Sequence, residues 1–456
     1  MPLLLEPAPE LKIYSTTNGN TVAYKKPNDQ GAQVWDGFDV NDSAVLLLQH
    51  LQECQQASTF VSSFCTKHHL DEAKARDWIE RFVLQMVERK AITVSESAGR
   101  GKAPAVEIPV LKSAKASSPR SVIVEITNTC NEACAHCYLA AGPKRLDKMD
   151  LAAFTSLCQQ MRKAHVYRMQ LTGGEVFMHP KFPAMLEVAL AEFSEVAVFT
   201  NATILTERVL ELLVAHRERI TLSIWLDSAN PETHNRLRNH RRAYEKTVAN
   251  IRRLTNAGIF VRISAVLFDE NMWELEAMAQ QAHELGAKMF VFNFIEGFGR
   301  GKDMVEQQAG QGGQEYLDYL AEVVEKYKHI LPIVEEEQRS EIAVRDNCGA
   351  GSNSVVVSAN GDLRPCNLFP ESFSFGNVHR DSWEDLFAQP MALKLRETPA
   401  PSEETGCPPE CEHLTYCRGC LLHALNVNAV DRAENYCAWV RDNRAEALVT
   451  LFAKSV

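Results

Sequence analysis

Cys130, Cys134 and Cys137 stand in the stretch TNTCNEACAHCYLA, three thiols within eight residues. Thiolate sulfur is a soft ligand that suits zinc and iron–sulfur centres. The pattern C-x3-C-x2-C gives three ligands, one fewer than a structural zinc site uses. A cubane 4Fe-4S cluster held by three cysteines keeps one iron open to another ligand. Zinc is the rival reading, with His136 as fourth ligand only by straining against its neighbour Cys137. A second set of thiols lies near the C-terminus: Cys348, Cys366, Cys407, Cys411, Cys417, Cys420 and Cys437. Its centre reads C-x3-C-x5-C-x2-C, and two zinc sites are the rival there. Cys54, Cys65 and Cys158 fall outside both sets and read as ordinary small, buried residues.

The rest of the composition narrows the class. Thirteen cysteines is an odd number in a chain of 456 residues. The start, MPLLLEPAPE, has no basic segment before its short apolar piece, so no signal peptide is expected and the cytoplasm is. Metal or redox chemistry is then favoured over a disulfide framework. The formal charge of −11 argues against a nucleic-acid partner, whose phosphates demand Lys and Arg. No apolar run is long enough for a membrane span.

The thiols need elements to hold them. From 121 the chain alternates strands and helices. SVIVEIT, RMQLTGG, EVAVFTN, ITLSIWLD, FVRISAVLF and KMFVFNF read as strands with helical segments between them. Six βα repeats predict a parallel sheet in a partial (β/α)6, TIM-like barrel, an α/β fold. In such folds the chemistry gathers at the carboxyl ends of the strands. The first cysteine set, TGGE and TN all follow strands directly, so they converge on one mouth. Residues 10–98 read as a winged-helix-like α+β unit of three strands and three helices. Asp42 or Ser43 is the expected cap of its first helix, and Leu84, Met86 and Val87 extend an apolar stripe begun by Trp78, Ile79 and Phe82. Residues 99–119, small, polar and basic with prolines, read as a linker. The barrel is expected over 120–302, a helical connector over 303–347 and a cysteine-rich Fe–S domain over 348–440, with SVVVSANGDLRPC as a hairpin turning at Asn-Gly.

These residues resemble the radical S-adenosylmethionine superfamily, whose signature is C-x3-C-x-φ-C; His136 stands at φ. The resemblance implies that the open iron chelates the amine and carboxylate of S-adenosylmethionine. One electron then cleaves the sulfonium to a 5′-deoxyadenosyl radical, which takes hydrogen from an unactivated C–H bond. LTGGEVFMHP is similar to the family's GGE motif: Gly173 and Gly174 permit close backbone approach, and Glu175 would take the cofactor ammonium. VFTNATIL is similar to a T-N-G signature with Thr200 and Asn201 in place and Ala202 for glycine. Arg238 matches the arginine that pairs with the cofactor carboxylate. Trp225 stands where the family often has a serine for the ribose, and Ser223 or Asp227 are the substitutes. IEGFGRG resembles the loop that approaches adenine.

The C-terminal thiols resemble the SPASM extension, which binds two auxiliary 4Fe-4S clusters, three clusters in all. Its commoner central spacing is C-x2-C-x5-C-x3-C. By that resemblance Cys348, Cys366 and Cys420 would hold the nearer auxiliary cluster. That set leaves one iron for a non-cysteine ligand or a substrate. Cys407, Cys411, Cys417 and Cys437 would hold the outer one. SPASM enzymes mostly modify peptides or proteins. Residues 10–98 resemble the small leader-recognition domain of peptide maturases, similar to the carrier protein of pyrroloquinoline quinone assembly, which binds an extended leader as an added strand. The implied partners are a peptide with a leader segment and an electron donor such as flavodoxin or ferredoxin. The implied reaction is an oxidative cross-link, a thioether in first place. A C–C link, peptide epimerisation, protein-cofactor or tetrapyrrole chemistry and a non-catalytic Fe–S redox sensor are the alternatives. Neither the modified residue nor the general base is assigned.

Overall fold

The computed structural model describes residues 3–455 except 17–18, 28–32, 97–106, 113–118, 120, 165, 167, 194, 306–312, 336–346, 353 and 431–434. The chain divides into two compact units, Met1–Ser118 and Pro119–Val456.

In the first unit, strands β1 (Leu3–Pro7), β2 (Lys12–Thr16), β3 (Gly19–Pro27) and β4 (Gln33–Val40) precede helices α1 (Asp42–His50), α2 (Ala57–Lys67) and α3 (Glu72–Glu88). Strands β5 (Ile92–Glu96) and β6 (Val110–Lys112) follow. The sheet order is β4-β3-β2-β6, and β1 pairs separately with β5. The unit is therefore larger than residues 10–98. Leu5, Ala8 and Ile108 belong to the core with Ile13, Val22, Phe60, Phe64 and Ile79. Three residues of the expected linker, Val110–Lys112, form a strand parallel to β2.

Asn41 caps α1: its backbone is extended and its Oδ1 accepts from Ala44 N at 2.9 Å. Asp42 already lies within the helix, where its carboxylate accepts from Asn20 Nδ2 at 2.8 Å. Leu84 is 61% exposed, while Ile79 and Met86 are buried. Seven residues make two turns and keep Ile79 and Met86 on one face; five residues rotate Leu84 about 140° away.

In the second unit, β7 (Ser121–Thr127), β8 (Arg168–Gly173), β9 (Glu195–Thr200), β10 (Ile220–Trp225), β11 (Phe260–Leu267) and β12 (Met289–Phe294) are the six expected strands. They pair in parallel and in chain order. Side-chain oxygens start the intervening helices: Asp150 accepts from Ala153 N, Thr206 from Val209 N and Asn230 from Glu232 N. Both strand faces carry apolar residues, as a helix-covered parallel sheet requires. Val122, Val124, Leu171, Val198, Leu222, Ile224, Ile263 and Phe290 are wholly or almost wholly buried.

The sheet does not stop at six strands. Among the described residues it has nine, in the order β13-β12-β11-β10-β9-β8-β7-β14-β15, with β13 (Ile333–Glu335), β14 (Ser354–Val357) and β15 (Leu363–Arg364) added. β14 runs parallel to β7 and turns antiparallel into β15 through Asn360 and Gly361, the latter at φ +90°. The hairpin that opens the cysteine-rich domain is thus an extension of the barrel sheet. Part of the expected connector is helix Gly313–Tyr327.

The join carries a buried ion pair. Arg364 on β15 is 1% exposed and its Nη2 meets Glu125 of β7, which is fully buried. Its other nitrogens donate to Ser358 Oγ at 2.9 Å and to the Phe369 carbonyl at 2.7 Å. Removing one partner of such a pair leaves a charge stranded in a dry interior. Arg364→Met is therefore expected to lose about 3–5 kcal/mol of stability, read from the denaturant midpoint. Glu125→Gln combined with Arg364→Met should recover part of that loss.

Candidate active site

The loop after β7, which carries Cys130, Cys134 and Cys137, has neither strand nor helix of its own. Its neighbours hold it through backbone bonds. Gly174 N donates to Thr127 O at 2.6 Å and Glu175 N to Thr129 O at 2.9 Å. Ala135 N donates to Leu237 O at 2.9 Å, and Arg300 N to Cys137 O at 3.0 Å. The Arg300 side chain adds bonds to the carbonyls of Cys134 at 2.7 Å and Ala141 at 2.9 Å. Glycine is needed for this closeness. A Cβ on Gly173 would lie 2.1 Å from Thr127 O, and one on Gly174 would lie 2.3 Å from Thr129 O. On Gly299, at φ +56°, it would lie 2.3 Å from Tyr138 O. The glycines of TGGE and GFGRG thus admit the cysteine loop itself.

Together these loops enclose a cavity of about 400 Å³ at the carboxyl ends of the strands. The three thiols, His136, Gly173, Gly174, Thr200, Asn201 and Arg238 all line it. Glu175 is fully buried and accepts from Thr200 Oγ1 at 2.6 Å, Asn201 N at 2.7 Å and Phe177 N at 3.0 Å. Its burial raises its pKa to about 7, against the pull of those bonds. Asn201 in turn points Nδ2 at Cys130 Sγ, 3.7 Å away. Ala202 sits at φ +53°, in the left-handed region where glycine carries no penalty.

Neither substitute for the missing serine is among the residues lining the cavity, and Asp227 meets the site through Arg238 and His136. Ser223 bonds Ser264 Oγ at 2.8 Å and receives Arg262, and it is not among the residues lining the cavity. Asp227 is fully buried, 2.5 Å from Arg238 Nη2 and 3.3 Å from His136 Nε2. Arg238 also places Nη1 3.6 Å from Cys134 Sγ and 3.7 Å from Glu132 Oε2. Burial works against every charge here. It is outweighed at Arg238 by Asp227, Cys134 and Glu132, and at Asp227 by Arg238, so both stay ionised. Burial prevails at His136, held neutral with a pKa near 4, and at Glu132, raised to about 7. Glu132 was not singled out from the sequence, although it lies between two of the cysteines.

Cys407, Cys411, Cys417 and Cys437 line one small cavity. Asn428 braces Cys437, donating from Nδ2 to its Sγ at 3.2 Å and accepting from its backbone N at 2.9 Å. Cys366 is raised to about 12 by burial first and then by nearby Cys420 and Cys348. Cys65 and Cys158 are buried, as expected of residues outside the sets, whereas Cys54 is only half-buried. Sequence reasoning also missed His423, three residues after Cys420, which meets the cavity residue Glu296 at 3.0 Å.

A family model described as the radical SAM superfamily matches residues 124–282, and one for an iron–sulfur cluster-binding domain, SPASM, matches residues 348–420. The antilisterial bacteriocin subtilosin biosynthesis protein AlbA of Bacillus subtilis is 32% identical over 416 residues, 91% of each chain. The chain belongs to the radical SAM superfamily. Mycofactocin maturase MftC of Mycobacterium tuberculosis is 26% identical over 67% of this chain and 79% of its own. In fold, the chain is similar to SuiB of Streptococcus suis, crystallised with S-adenosylmethionine, at a TM-score of 0.62 and 13% identity. That match covers 92% of this chain and 96% of the other.

The residues of this radical SAM chain fit the cofactors. Glu132 Oε1, His136 Nδ1 and Arg238 Nε are buried with no hydrogen-bond partner among the described residues. Polar atoms so placed are costly unless a ligand meets them. Burial, and then the Glu175 carboxylate, raise Cys130 to about 12; burial also pushes Cys134 well up, so both thiols are protonated without metal. Iron would displace those protons. Cys130, Cys134 and Cys137 would hold the cluster, and Arg238, with its Nε free, is placed for a carboxylate. Gly174→Ala should push the cysteine loop outward. The expected outcome is a folded protein with lowered iron and sulfide content after anaerobic reconstitution, measured against wild type.

Proposed function

We propose that this chain matures a ribosomally made peptide, closing an oxidative intramolecular cross-link, with a thioether in first place. The observation that carries the reading is the composition of the cavity wall. It combines the first three thiols and the unpartnered polar atoms with Asn367 and Leu368, which follow Cys366 of the cysteine-rich domain. A substrate in that cavity lies within reach of both thiol sets. The bacteriocin biosynthesis protein and the mycofactocin maturase among its relatives support a peptide substrate.

We assign three 4Fe-4S clusters: one at Cys130, Cys134 and Cys137, one at Cys348, Cys366 and Cys420, and one at Cys407, Cys411, Cys417 and Cys437. When bound, the first with S-adenosylmethionine supplies a radical able to take hydrogen from an unactivated C–H bond. The chain's own part is to orient and shield. Arg238, Asn201 and the Gly173–Gly174 backbone position the cofactor. Phe199, Trp225, Phe294 and Leu368 exclude water and hold the substrate residue. The three-thiol set of the second cluster favours a substrate thiolate there, hence the thioether. Flavodoxin or ferredoxin is the proposed donor. Thirteen unbridged cysteines suit the reducing cytoplasm. Among the described residues, no helix is long and apolar enough to cross a membrane.

The leader is proposed to dock on the first unit. There β4 is an edge strand of its sheet, and a groove between α1 and α3 is lined by Asn41, Leu47, Trp78, Arg81, Phe82 and Gln85. An extended peptide could add to the strand and seat a side chain on Trp78 and Phe82. Trp78→Ala should weaken precursor binding by about tenfold or more, measured by fluorescence anisotropy.

Mass spectrometry of a co-expressed precursor tests the reaction. Loss of two hydrogens together with one fewer alkylatable thiol is expected. Loss of two hydrogens with all thiols intact would establish a C–C link. Deuterium uptake at constant composition would establish an epimerase. No 5′-deoxyadenosine under anaerobic reduction would leave a redox sensor.

A further inference from the structure

A thioether closed between a cysteine and a carbon costs the peptide two hydrogens. One leaves carbon as an atom; the other divides into an electron, for which an auxiliary iron–sulfur cluster is the oxidant, and the thiol proton, which needs an acceptor. Resting on the maturase reading, we propose that Glu296 is that acceptor. The step is a proton transfer: the substrate S–H bond breaks, its electron pair stays on sulfur, and an O–H bond forms on the Glu296 carboxylate.

Glu296 lies two residues beyond β12 and lines the same cavity as the first thiol set. Its side chain is 16% exposed. Both carboxylate oxygens lie 3.0 Å from one atom, His423 Nε2. The imidazole cannot turn away. Its Nδ1 is 2.8 Å from the Tyr416 carbonyl, which can only accept, and its ring stacks on Tyr416 at 4.1 Å between centroids. One donor therefore fixes the carboxylate in place. An ionised carboxylate has about four acceptor positions, so capacity is left for a second proton donor.

The other titratable groups on the wall sit in or against the first cysteine loop, where Glu132 Oε1 and His136 Nδ1 are left open toward the cofactors. His136 turns Nε2 to Asp227, and Glu132 faces Arg238 and the Cys134 thiol. Glu175 lies beneath, holding Thr200 and Asn201. Tyr138 is kept as the neutral phenol by burial, and Arg300 is pinned to two carbonyls. Two carboxylates, Glu132 and Glu296, are among the described residues that line the cavity, and Glu296 is the one outside the first cysteine loop. It is also near the cysteine-rich domain, because His423 stands three residues after Cys420.

The test uses the full-length, anaerobically reconstituted protein and a precursor peptide that the wild type modifies. Glu296→Gln keeps size and the capacity to accept from His423 but removes the base. The cross-linked product formed per 5′-deoxyadenosine should fall about 100-fold. Raising the pH through the thiol range, about 8.5, should restore it, because solvent then removes the proton. Glu296→Asp should retain the ratio at neutral pH better than Glu296→Gln, and iron content should match wild type in both. An unchanged ratio in Glu296→Gln overturns the proton role alone. So does a fall that no pH repairs in Glu296→Gln and that Glu296→Asp shares, since it marks a structural part. A wild-type protein that modifies no peptide overturns the maturase reading and the proton role with it.

Discussion

The cysteine loop has no regular structure and depends on backbone contact with three other loops. Gly173 and Gly174 come from the end of β8, Leu237 and Arg238 from the region after β10, and Gly299 to Gly301 from the region after β12. Each approaches so closely that peptide groups meet peptide groups, which only glycine permits at the tightest points. Thiols presented this way are positioned by strands on different sides of the barrel. The rigidity of a parallel sheet is thereby lent to a segment that has none of its own. Arg300 strengthens the arrangement from the side, tying Cys134 and Ala141 through their carbonyls.

Around that loop, charges are arranged in tiers. Asp227 sits at the bottom and holds both Arg238 and His136. Glu175 sits under Thr200 and Asn201 and sets their orientation, and Asn201 reaches Cys130. Burial keeps water from competing, so each contact is stronger than it would be at the surface. A negative group at the base steers a cation, and the cation faces the cavity where an anionic ligand group is accommodated. Trp225, in the family's serine position, adds an aromatic wall instead of a hydroxyl.

Much of this was readable in the residue order, for a physical reason. Strands buried on both faces are written as apolar runs, and loops with chemistry follow them at once; hence six strands, the thiols, TGGE and TN could be placed, whereas Arg238 was picked out by the family resemblance. Short elements left no such trace. Val110–Lys112 is too brief to show alternation, and Ile333–Glu335 is equally short. The pairing of β14 with β7 joins segments more than two hundred residues apart, and no local pattern encodes a partner at that distance. Glu132 and Glu296 were passed over because single carboxylates are common. Position was the available signal, since both lie just past a strand end. His423 carried a weaker one, its spacing from Cys420.

The continuation of the barrel sheet into β14 and β15 has a consequence for biogenesis. β7 is made early, yet the strand that covers one of its edges emerges from the ribosome only after the whole barrel has been synthesised. Until then that edge presents unpaired amides and carbonyls beside the nascent thiols. Such a late, distant pairing slows folding and lengthens exposure to wrong partners. A chain cut short before Ser354 would therefore keep one edge of β7 open to pairing with other chains.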